Sequence, residues 1–145
     1  LKPSEAEDNF LNPRTDRKVV FDQILSDFDA AVKGLKYHSE WSSYTGRLTK
    51  GAALGLYARA NLYRAGYFLG QDGQMQRYDD YMTYFQNVID ITEELIQSGE
   101  HALLSSYEQI FKNMCELKLD QTENLWEVPF FNTSGQKKHS SMMWT

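Results

Sequence analysis

From Lys50 to about Tyr67 the chain offers almost no polar face. Ala52, Ala53, Leu54, Leu56, Tyr57, Ala58, Ala60, Leu62, Tyr63 and Ala65 follow one another with few interruptions. Thr49 stands ahead of them as an N-cap, so the stretch reads as a helix over 50–67. A helix that is apolar nearly all round is surrounded by protein, which makes this one the centre of a helical assembly. Gly51, Gly55, Ala58 and Ala60 let neighbouring backbones come close. Arg59 and Arg64 interrupt the apolar surface. A buried unpaired charge costs several kcal/mol, so each is expected to reach a carboxylate or a carbonyl.

Three further helices are expected around it. Over about 16–36, Val20, Ile24, Phe28, Ala31, Val32 and Leu35 recur at three- and four-residue steps, with Phe21 and Leu25 widening the stripe and Thr15 or Asp16 as cap. Over about 78–98 the stripe is Met82, Phe85, Val88, Ile89, Thr92, Leu95 and Ile96, with Gly99 as the stop. Ser105 and Glu108 form a capping-box pattern before a short helix over 105–112. Residues 69–77 read as a loop, and so does the tail after Phe131. Leu125 to Phe131 is the one extended candidate, and Pro129 confines it to an edge or a strand end. The fold class is therefore mostly α, in antiparallel helix pairs, with one short extended segment near 125–131. The 145 residues are enough for one domain. The chain opens at Leu1 without a signal peptide, so it also reads as an internal portion of a larger domain.

Composition removes several classes. Hydrophobic residues at 41% and charged residues at 24% exclude a disordered chain. A net charge of −5 argues against a general nucleic-acid binder, which needs a basic surplus to displace counterions. No apolar run approaches the roughly 20 residues of a membrane span. Cys115 has no partner for a disulfide or a CxxC motif, and only Lys112 and Lys118 lie near enough to activate its thiol. His38, His101 and His139 share no metal-ligand spacing. Asp79-Asp80 and Glu93-Glu94 point about 100° apart on a helix, which suits neither pair to paired acid catalysis. The residues thus call for no cofactor, no metal and no catalytic set.

The segment Gly46-Arg47-Leu48-Thr49-Lys50-Gly51-Ala52-Ala53-Leu54, continued by Leu56-Tyr57-Ala58-Arg59-Ala60-Asn61-Leu62-Tyr63-Arg64-Ala65-Gly66, resembles a core segment of the SusD/RagB family. Three other segments agree in order: Asp22 to Ala31, then Val88-Ile89-Asp90 with Ser98 to Phe111, then Glu123-Asn124-Leu125-Trp126-Glu127-Val128. The resemblance covers about residues 16–131. Gly55 departs from it, standing where the family usually has Ala, and the helix that holds Val88 is longer than the common form.

The resemblance implies tetratricopeptide-like helix pairs in an α-α superhelix. It implies a lipid-anchored protein on the outer face of the outer membrane of Bacteroidota, attached to the membrane only through an anchor outside this chain. Such a protein binds glycans or other nutrients without hydrolysing them and passes them to a TonB-dependent transporter of the SusC type. Nothing before Cys115 makes it the lipidated cysteine. A generic tetratricopeptide-like interaction scaffold is the alternative reading.

Most aromatic residues occupy helical stripe positions and belong to the core. Trp41 and Tyr44 lie in a polar loop, and Trp144 lies in the tail. Flat rings in polar surroundings suit stacking on sugar faces, so these three are the candidate ligand contacts; folding back onto the helix pair is the alternative.

Overall fold

The computed structural model describes residues 13–42, 46–116, 118–128 and 142–143. Three helices carry the architecture: α1 (Arg17–Gly34), α2 (Lys50–Ala65) and α3 (Tyr81–Gln97). α2 packs against α1 on one side and α3 on the other. A shorter helix, α4 (Tyr107–Cys115), follows.

The helix starts are chosen by side chains. Asp16 accepts a bond of 2.7 Å from the Lys18 N–H and caps α1. Thr49, itself buried, accepts from the Ala52 N–H at 3.3 Å and caps α2. Gly99 takes φ 68° just beyond α3, the left-handed conformation expected of a helix stop. α4 differs from expectation. Its cap is Ser106, with extended backbone and no side-chain cap bond. The Gln109 N–H bonds the Ser106 carbonyl instead, so the helix starts two residues late and runs to Cys115.

Two strand pairs were not legible. β1 (Phe68–Leu69) pairs antiparallel with β2 (Met75–Gln76), where a loop was expected. The turn between them is closed by Asp72, which accepts from the Gln74 N–H, and by Gly73 at φ 77°. An Asp-Gly turn is a hairpin signal, but the usual alternation of apolar residues around it is absent here. β3 (Glu127–Val128) lies within the expected extended segment and pairs with β4 (Met142–Met143), in a tail that was read as loop.

The core is small. Leu54, Ala58 and Ile91 form its buried centre, and Val32, Tyr37, Tyr57, Val88 and Leu95 pack around them. Phe28 stacks on Tyr57 at 6.0 Å between ring centroids. Two expectations fail here. On α3, Met82, Ile89 and Ile96 are exposed while Ile91 is buried. Those three sit about 120° round the helix from the row that meets α2. α2 is likewise not covered all round, since Leu62 and Tyr63 are exposed.

The polar groups inside are paired across elements. Asn61 is wholly buried on α2; its amide donates to the Tyr57 carbonyl at 2.9 Å, and its oxygen accepts from Asn87 of α3. Arg64 is also wholly buried. Its two terminal nitrogens fork onto both oxygens of Asp80 at 3.1 and 2.9 Å. Tyr78 and Tyr84 hold the guanidinium with ring centroids at 4.1 and 4.4 Å. The expected carboxylate for Arg64 is therefore present. Arg59 meets neither a carboxylate nor a carbonyl among the described residues; it is exposed and lies 5.9 Å from the Tyr63 ring.

Asp80→Ala should cost about 3 kcal/mol in urea unfolding, the low end for breaking a buried pair because Asp80 is half exposed. Arg64→Lys should lose nearly as much, since an ammonium can neither fork onto the carboxylate nor stack between two rings.

Candidate functional site

The two ends of α2 are chemically different. Around its C-terminal end five of the six arginines of the chain gather: Arg14, Arg17, Arg59, Arg64 and Arg77. Each of the last four lies over an aromatic ring. The Arg17 guanidinium is 4.4 Å from the centroids of both Phe21 and Phe68, and one of its nitrogens donates to the Tyr63 carbonyl. Phe68 in turn stacks on Tyr78 at 4.8 Å. Arg77 lies between Tyr67 and Tyr81, at 4.6 and 3.6 Å.

The β1–β2 hairpin and the short link from α2 position this set. They turn the chain so that the residues after α2 fold back under the first turn of α1. Two hollows result, with Arg17 as their common wall. The larger, about 650 Å³, lies between the start of α1 and the hairpin and is lined by Arg14, Phe21, Gln71 and Tyr78 among others. The smaller, about 390 Å³, is lined by Arg59, Leu62, Tyr63, Gly66 and Tyr67. Among the described residues only Arg64 of the five arginines has a carboxylate partner. The sequence reading missed this grouping because its members come from α1, α2, the hairpin and α3. The one usable signal was the frequency with which Arg and Tyr fall close together from Arg59 to Tyr84.

At the N-terminal end of α2 lies a histidine pair. His38, in a one-turn 3-10 helix (His38–Glu40), faces His101 at 5.7 Å between rings. The His38 Nδ1 stands 3.2 Å from Glu100, whose other oxygen accepts from the Ser39 hydroxyl at 2.6 Å. The His101 ring lies directly on the backbone of Gly51. A Cβ there would stand 2.2 Å from its Nε2. Gly55 is used the same way, since a Cβ would meet a Leu125 methyl at 2.4 Å. That contact accounts for Gly where the family resemblance leads one to expect Ala.

Trp41 belongs to this end. It is half-buried, its indole N–H is enclosed without a partner among the described residues, and the Arg47 guanidinium lies 5.1 Å from its ring. Tyr44 and Trp144 lie outside the described residues. Another indole closes the same loop: Trp126 donates to the Gly46 carbonyl at 3.2 Å. Among the described residues no group of three or more His, Cys, Asp or Glu could hold a metal, and no helix is long and apolar enough to cross a membrane.

No protein-family model and no curated protein matches the chain. Among solved structures it is similar to a SusD homolog from Bacteroides thetaiotaomicron. The two share 30% identity and superpose with a TM-score of 0.67 over 81% of this chain and 21% of that one. The class is thus a mostly α, SusD-like helical fold. The chain spans about a fifth of the length of the SusD homolog it matches.

The His101 pKa lies below its ordinary value of 6.5, first through burial and then through the neighbouring His38. The fold therefore favours the neutral ring. The stability this supplies is complete above pH 6.5 and is lost as pH falls through the lower folded value. Melting temperatures measured from pH 7.5 down to 5 should fall more steeply for the wild type than for His101→Gln; parallel curves would remove this role.

Proposed function

We propose that the chain is part of a non-catalytic nutrient-binding protein of the SusD type. It acts at the bacterial outer-membrane surface, captures a glycan or another nutrient, and delivers it to a TonB-dependent transporter of the SusC type. The observation that carries this reading is the likeness to a SusD homolog at 30% identity, together with the four ordered segments around α2 and Trp126. Membrane attachment, on this reading, is through a lipid anchor outside the chain.

Trp41, Tyr44 and Trp144 are the proposed ligand contacts from the sequence. Trp41 offers a ring already paired with a cation, Arg47. One indole edge is enclosed, so its contribution to a ligand would be through a ring face.

A second reading, a helical-repeat scaffold for a protein partner, is favoured by one observation. Met82, Ile89 and Ile96 stand in an exposed apolar row at seven-residue steps on α3.

The protein purified from membranes should carry a TonB-dependent barrel with it, and a glycan array should give a saccharide ligand with no hydrolysis products on incubation. Failure to bind any saccharide or peptide, with no barrel in the preparation, would sink the nutrient-binding reading. Retention of a soluble protein partner that is lost on Ile89→Asp would support the scaffold.

A further inference from the structure

We propose that the hollow bounded by Arg17, Arg59, Tyr63 and Tyr67 binds an anionic saccharide, a sugar ring that carries a carboxylate or a sulfate. The proposal rests on the nutrient-binding reading and names a ligand class for it. It also places a site at the opposite end of α2 from Trp41.

Four observations converge on this hollow. Tyr63 and Tyr67 are 59% and 63% exposed, so neither ring is used to fill the core. Flat, exposed rings beside a one-ring space of about 390 Å³ suit the C–H faces of a pyranose. Arg59 stands at the rim with no carboxylate among the described residues, and its five donors match a planar carboxylate or a sulfate. Arg17 forms the inner wall. Phe21 and Phe68 fix its guanidinium, and the Tyr63 carbonyl takes one nitrogen. Its other terminal nitrogen is enclosed with no acceptor among the described residues. That guanidinium has no carboxylate partner among the described residues, which raises the local potential toward an anion.

The adjoining hollow extends the site. It shares Arg17 and adds Arg14, Thr15 and Gln71, with the carboxylates of Asp16 and Asp72 also on its wall, giving room and hydrogen-bonding groups for a second, neutral sugar. A neutral saccharide would not use the two cations of the smaller hollow, Arg17 and Arg59, whose wall carries no carboxylate. The overall charge of −5 makes the contrast sharper, because the smaller hollow holds two arginines and no acid within an acidic chain. Exposed rings favour a sugar over an acidic peptide, which needs only the charges.

The test is calorimetric titration of the purified protein with trigalacturonate, with a sulfated galactose disaccharide and with neutral galactotriose. One or both anionic sugars should bind at least about tenfold more tightly than the neutral one, a difference of about 1.4 kcal/mol. Their binding should weaken as salt is raised. Arg59→Gln should lose about tenfold for the anionic sugars with an unchanged melting curve. Lys112→Gln, on the remote helix α4, should lose nothing. Equal binding of neutral and anionic sugars, or full affinity in Arg59→Gln, overturns the proposal and leaves the nutrient-binding reading standing. Absence of binding by all three sugars overturns this proposal; the nutrient-binding reading falls with it only when no saccharide or peptide binds and no barrel is retained. Tight binding of oligoglutamate with the same dependence on Arg59 overturns the assignment to a sugar.

Discussion

The join between α2 and α3 depends on one buried cation. Arg64 is fully enclosed near the end of α2, where no water can solvate its charge. Its counter-charge is Asp80, the residue that caps α3 by position. The Asp80 carboxylate makes no cap bond to α3, because both oxygens are taken by Arg64. A local helix-start contact has been given up for a tertiary one. The exchange locks the register of α3 against α2, since a bidentate pair fixes both distance and angle. It also fixes the segment between them. Tyr78 and Tyr84 close over the guanidinium, and Phe68 then stacks on Tyr78. The hairpin, and with it both hollows beside Arg17, follows from that arrangement.

The other end of α2 is organised by close approach. Small residues there do what a salt bridge does at the far end. Gly51 admits the His101 ring and Gly55 admits a Leu125 methyl. The segment after α3 is thereby drawn back across the start of α2, held further by the Ala102 N–H on the Thr122 carbonyl. The result is a helix clamped by charge at its C-terminal end and by steric fit at its N-terminal end. The clamp at the N-terminal end responds to pH through His101, whose ring is held toward its neutral form by burial and by the neighbouring His38.

What the sequence revealed and what it hid follow from the range of each interaction. The three long helices were legible because caps and periodic apolar residues are local: Asp16, Thr49 and Gly99 sit where their spacing placed them. The need of Arg64 for a carboxylate was legible from the cost of a buried charge, but its partner was not. The faces of α3 were misjudged. Its apolar residues form two rows, and periodicity cannot say which row meets α2; Val88, Ile91 and Leu95 do, while Met82, Ile89 and Ile96 do not. The hairpin after α2 was hidden because each strand has only two residues, too few to show an alternation. The arginine group was hidden for a different reason. It is an assembly of single residues from separate elements, and nothing in their order along the chain announces that they meet.

The exposed row on α3 bears on what the fold is for. A free helix face carrying Met82, Ile89 and Ile96 is costly to leave in water: each buried aliphatic side chain is worth about 1.5–3 kcal/mol. Three helices that leave apolar side chains on an open face are a section of a layered helical structure, and the match to a fifth of a SusD homolog agrees with that. The arginine end has a different surface. There Phe21, Phe68 and Tyr78 are covered by cations or by each other, while Tyr63 and Tyr67 stay exposed, so the region is charged at its rim and stiff beneath. Apolar rows suit permanent packing, where exclusion of water is the gain. A rim of guanidinium groups over fixed aromatic rings suits an exchangeable ligand, because charge draws it in and the rings hold it without needing to move.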